Sequence, residues 1–157
     1  MTEEEIIRFM TSLPNVEAMT AREGDGSPEV AWGDSFFFVR LAHEPPSDQR
    51  WPFATVVVKD YPGWDTASDL DREGRFRLNI SVGRQAFEEL FGYAPSAHAQ
   101  HQEEFDYTAV DRLIPHPVYA TQAWAAVINP GDASDERVRT LLVEAHAREV
   151  RRHLARD

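Results

Sequence analysis

The residues of this chain that can do chemistry fall into a few groups. The first lies in Arg75–Val82, where Arg75, Arg77, Asn79 and Ser81 alternate with Phe76, Leu78, Ile80 and Val82. In an extended strand that alternation places the polar set on one face and the apolar set on the other. Lys59 can join the polar set from a neighbouring strand. Guanidinium forks and an amide donor match a carboxylate or a phosphate. The competing reading is the solvent side of an open antiparallel sheet, where such residues are ordinary.

Three histidines form the second group. His98 and His101 are spaced to share a helical face, and His116 lies between Pro115 and Pro117. Together they could offer three nitrogens to zinc, although HxxH is a weaker signal than HExxH. His116 alone is the candidate general base, because imidazole titrates near neutrality. The ordinary alternative is a solvated helix edge and one hydrogen-bonded turn histidine.

Two further features stand in the loop after Lys59. Trp64, flanked by Gly63 and Asp65, is a candidate lid or interface anchor, or else a ring folded back over the sheet edge. Asp60, Asp65, Asp69 and Asp71 suggest calcium, but the alternate-position register of a calcium loop is missing, and turn chemistry accounts for them better. The chain carries no GxSxG, P-loop or GxGxxG pattern, so no cofactor motif is present.

Composition narrows the classes. At 157 residues the chain fits a single domain, 1–157, able to bury roughly 68–70% of its unfolded surface. It has 16 Lys and Arg against 27 Asp and Glu, a net charge of -11. That field disfavours nucleic acid and anionic membrane. Without cysteine there is no thiolate site, disulfide or Cys nucleophile. The acidic start MTEEEIIRFM is unlike a signal peptide, and no run approaches the roughly 18 apolar residues of a membrane span. A cytoplasmic location is expected.

The elements that must position these residues read as follows. Thr2 and Glu5 form a capping box for a helix over Glu3–Ser12, with Ile6, Phe9, Met10 and Leu13 on one face. Strands are expected at Val16–Ala21, Ser35–Arg40 (apolar on both faces, hence covered on both), Trp51–Lys59 and Arg75–Val82. Glu44–Asp48 is a proline-bearing surface loop. A helix over Arg84–Phe91 stops at Gly92. Ser96 would cap a second helix over Ala97–Phe105, and Val110–Ile114 would add a helical turn. Val118–Ala120 and Trp124–Ile128 are the last strands. A long helix from Ser134 or Asp135 buries Val138, Leu141, Leu142 and Ala145 and ends on a basic, solvated stretch, Arg148, Arg151, Arg152 and Arg156. Connections too short for helical crossovers make this an α+β fold, a mainly antiparallel sheet with N- and C-terminal helices packed on one face.

Ala31–Phe38 (AWGDSFFF), Pro52–Arg84 and Leu113–Gly131 (LIPHPVYATQAWAAVINPG) resemble an uncharacterised family of small bacterial proteins, a domain of unknown function. More distantly, the helix ending in Leu-Pro, the WG-D-FFF strand, the V-x-V-K strand and the late Trp strand are similar to MmcQ/YjbR-like proteins. That similarity implies an antiparallel sheet with helices on one side and a loose DNA-binding association, with which the charge disagrees. Three readings follow. The first is a binding domain holding a small polar or anionic ligand through Lys59, Trp64, Arg75, Arg77 and Asn79. The second is an enzyme using His116, with a metal at His98 and His101. The third is a homodimeric interaction domain.

Overall fold

A computed structural model describes residues 1–44 and 51–155. Helix α1 spans Glu3–Thr11 and opens on the expected reciprocal cap. The Thr2 side chain accepts from the Glu5 backbone, and the Glu5 side chain accepts from the Thr2 backbone. Strands β1 (Val16–Thr20), β2 (Ser35–Val39), β3 (Ala54–Val57) and β4 (Arg77–Ser81) follow as an antiparallel meander. Helix α2 covers Arg84–Phe91 and ends on Gly92 at φ 83°, a left-handed cap that a Cβ would strain. Strands β5 (Leu113–Pro115) and β6 (Trp124–Ile128) and helix α3 (Asp135–Ala155) complete the chain. The sheet order is β1-β2-β3-β4-β6-β5. Every neighbouring pair in it is antiparallel, as expected.

One face of this sheet belongs to the helices. Phe37, Val56, Leu78, Ile80 and Val127 pack with Ile6 and Met10 of α1, Phe87 of α2, and Leu141 and Leu142 of α3 in a single core. Arg148 of α3, expected in a solvated tail, instead turns inward and donates to the carbonyls of Ser81 and Val82 where β4 ends. Arg151 and Arg152 are exposed, and Arg156 lies outside the described residues. At its last turn α3 is clasped to the loop after β2. His153 Nδ1 meets the Glu44 carboxylate at 2.7 and 2.8 Å, and its Nε2 meets Glu149 at 3.2 Å.

Several elements depart from expectation. The segment read as a helix over Ala97–Phe105 is two short 3-10 turns, Pro95–Gln100 and Gln102–Glu104, and Ser96 caps nothing. Val118–Ala120 is not a strand; the chain turns there. Leu113–Pro115, read partly as helix, is the strand instead. Pro115 is tolerated because β5 is an edge, where a missing N–H breaks no inner ladder. The loop expected over Glu44–Asp48 lies, from Pro45 on, outside the described residues.

Leu78 sits fully buried at the centre of the helix-side core. Leu78→Ala is expected to destabilise the domain by about 2–5 kcal/mol, seen as a lower urea midpoint at unchanged slope.

Candidate functional site

The opposite sheet face carries a cavity of about 740 Å³. Its floor is the outward set of three central strands: Phe36 and Phe38 of β2, Thr55 and Val57 of β3, and Asn79 of β4. The β3–β4 loop supplies one wall with Tyr61, Trp64 and Asp65. The turn between β5 and β6 supplies the other with His116, Tyr119 and Gln122, continued by Trp124 at the start of β6. Met19 and Trp51 stand at the rim, and Trp51 is 85% exposed. Most of these groups are apolar or aromatic.

Arg77 organises the polar end. It was expected to project from an open face, yet its side chain is fully buried. The guanidinium forms a bidentate pair with Asp65, Nη1 at 3.0 Å from Oδ1 and Nη2 at 2.6 Å from Oδ2. It also donates to Ser68 Oγ at 3.0 Å and, through Nε, to Asn79 Oδ1 at 2.8 Å. A lone charge here would cost several kcal/mol, so the loop is drawn onto the strand to supply the counter-charge. The Asn79 amide is thereby oriented: its oxygen accepts from Arg77 and its Nδ2 donates to Thr55 Oγ1 at 3.0 Å.

A second buried anchor holds the start of the same loop. Asp34, fully buried before β2, accepts from the Val58 N–H at 2.9 Å and from the Tyr61 hydroxyl. Burial pushes its carboxyl up, and these two donors oppose the shift. The Tyr61 phenol is raised well above its usual range by burial and then by Asp34. From Tyr61 the rings run edge to face across the cavity wall, Tyr61 to Trp64 at 5.2 Å and Trp64 to Tyr119 at 6.0 Å.

His116 closes the polar end. Its Nδ1 lies 3.0 Å from both the Val118 and Tyr119 backbone nitrogens, which can only donate. That lone pair is therefore occupied, and the general-base role expected of His116 finds no free basic nitrogen there. Burial, and then the charge of Arg77, hold the imidazole well below its ordinary pKa, so the ring is neutral.

The other expected site residues are placed elsewhere. Lys59 Nζ donates to the Trp32 and Glu29 carbonyls at 2.6 and 3.2 Å, and Arg75 donates to the Ser68 carbonyl at 3.3 Å; neither lines the cavity. Ser81 Oγ is bonded by Arg148. Trp64, half-exposed, does reach the cavity. The three histidines are not brought together. His98 lies between the hydroxyls of Tyr93 and Tyr107, and His101 stacks on Tyr93 and meets Glu104 at 2.6 Å. Among the described residues no three His, Asp or Glu side chains are grouped to hold a metal ion. The acidic loop spends its carboxylates on itself and on Arg77: Asp60 accepts from the Leu70 N–H and Asp71 from the Asp60 N–H across the loop's ends, and Asp65 pairs with Arg77. Phe36, Phe38, Tyr61, Tyr119 and Trp124 were not expected at the site. The outward positions of Phe36 and Phe38 were readable from β2's alternation, but not what they face.

The chain belongs to DUF6194, a family of unknown function whose model matches residues 1–157. No curated protein and no solved structure matches it.

Two outcomes check this geometry. Asp65→Asn is expected to cost about 3–5 kcal/mol in chemical denaturation by stranding the guanidinium, and adding Arg77→Met should recover most of that loss. His116, neutral in the fold, takes up a proton on unfolding below about pH 6.5, so its contribution is fully present above that pH and is lost as pH falls. Stability measured between about pH 7 and pH 5 should decline, and His116→Gln should flatten part of the decline.

Proposed function

We propose that this DUF6194 member is a small-molecule-binding domain whose open sheet face takes a flat, largely aromatic or apolar ligand, polar edge inward. The observation that carries the reading is the cavity itself: about 740 Å³, walled by Tyr61, Trp64, Tyr119 and Trp124 over a floor of Phe36 and Phe38. Ligand sites typically measure about 300–1,000 Å³, mostly apolar with a few convergent polar groups. Here those groups are Thr55, Asn79 and His116.

The aromatic rim adds support. Trp51, 85% exposed, and Trp64, 51% exposed, leave large ring area in water beside the opening. Clustered exposed apolar surface of this kind marks a binding site more often than a bland surface does. Among the described residues, the cations expected to hold an anion are already engaged. Asp65 already neutralises Arg77, and Lys59 and Arg75 are bonded to main-chain carbonyls. The net charge of -11 works against an anion as well.

Tryptophan fluorescence titrated with a panel of two- and three-ring aromatic compounds tests the reading. Saturable quenching is expected, with Trp64→Ala weakening it about tenfold and Val143→Ala, on the exposed side of α3, leaving it unchanged. Absence of saturable binding across the panel, or indifference to Trp64→Ala, refutes it.

A further inference from the structure

The surroundings of His116 specify more than a shape. Three N–H groups point at this one imidazole: the backbone amides of Val118 and Tyr119 at Nδ1, each at 3.0 Å, and Arg77 Nη2 at Nε2, at 3.4 Å. A neutral imidazole has one acceptor nitrogen and one donor nitrogen. Two short amide contacts outweigh one long guanidinium contact, so Nδ1 is the acceptor and Nε2 carries the hydrogen. The cationic ring would present a hydrogen to the two amides as well and is excluded by the same geometry.

The Nε2 hydrogen then faces the Arg77 Nη2 hydrogen, donor against donor. His116 is only 2% exposed, and it lines the cavity. A buried donor without an acceptor is strongly disfavoured. Nearby the pattern repeats. Thr55 Oγ1 accepts from Asn79, which leaves the Thr55 hydroxyl hydrogen, and the second Asn79 amide hydrogen, available to donate. His116, Thr55 and Asn79 thus each offer the cavity a donor, beside an Asp65 carboxylate that the Arg77 guanidinium already occupies.

We propose that His116 Nε2–H is a ligand-recognition donor, and that the ligand is a neutral planar aromatic carbonyl compound of the lactam or aryl-ketone type. Its edge oxygen accepts from His116 at the polar end of the cavity. This rests on the binding function proposed above and assigns the chemistry of the inward edge. A neutral oxygen suits the site because it satisfies donors without bringing an uncompensated charge beside Asp65 and an Arg77 that is already paired.

Two measurements on the full chain test it. Nitrogen-15 histidine NMR of the unliganded protein, with His116 assigned by its loss in His116→Phe, should show the Nε2–H tautomer at neutral pH; the Nδ1–H tautomer or an imidazolium overturns the inference whatever binds. Fluorescence titration with naphthalene, 2-quinolone and 2-naphthoate then compares one two-ring frame bearing no oxygen, a neutral lactam oxygen, or a carboxylate. Tightest binding of 2-quinolone is expected, about tenfold over naphthalene, with His116→Phe closing that gap. Equal affinities, tightest binding of 2-naphthoate, or a gap that survives His116→Phe overturns the carbonyl assignment and leaves the cavity as an aromatic site. If none of the three binds, the cavity reading falls and the carbonyl assignment with it.

Discussion

A guanidinium buried in the middle of a sheet is the constraint on which one side of this molecule depends. Arg77 occupies an inner strand and lies under the β3–β4 loop, where its side chain is fully buried. Its charge has to be met on the spot. Asp65 meets it from the β3–β4 loop, Ser68 and Asn79 take further hydrogens, and His116 is set against its remaining edge. The loop conformation, the Asn79 amide orientation and the position of the β5–β6 turn are therefore solved together. Removing the charge from one partner disturbs all three.

That coupling explains the different character of the two sheet faces. The helix side is held by area, through Leu, Ile, Phe and Ala side chains in one continuous core. The reverse side is held by a small apolar cluster, Leu70 and Tyr61 of the loop on Val57 and Ile128 of the sheet, and by two buried carboxylates, Asp34 and Asp65, that fix the same loop. Hydrogen bonds and ion pairs are directional, so they can prop a wall away from a floor.

Much of the helix side was legible in the sequence, because burial there leaves a periodic trace. The α3 stripe and the Phe76–Val82 alternation each follow from burial, and the Thr2–Glu5 cap follows from the unpaired amides of a helix start. The reverse face was not legible, because an outward polar residue looks the same whether it meets water or a loop. Arg77 and Arg75 are two apart and chemically identical, yet only Arg77 lies under the loop. What separates them is the register of β4 against Asp65, a contact twelve residues distant in the chain. His98 and His101 do share a neighbour, Tyr93, but their ring nitrogens meet tyrosine hydroxyls and Glu104, and no sequence signal marked those partners.

Pinning the β3–β4 loop at Asp34 and again at Asp65 also bears on time. A wall fastened at two buried points is no hinged cover, and swinging it aside would break the ion pair and the carboxylate–phenol bond together. Among the described residues, the cavity opens between Trp51 and Trp64. For any visitor to the cavity, arrival is then set by diffusion to a standing doorway, and how long it stays is set by its own contacts within.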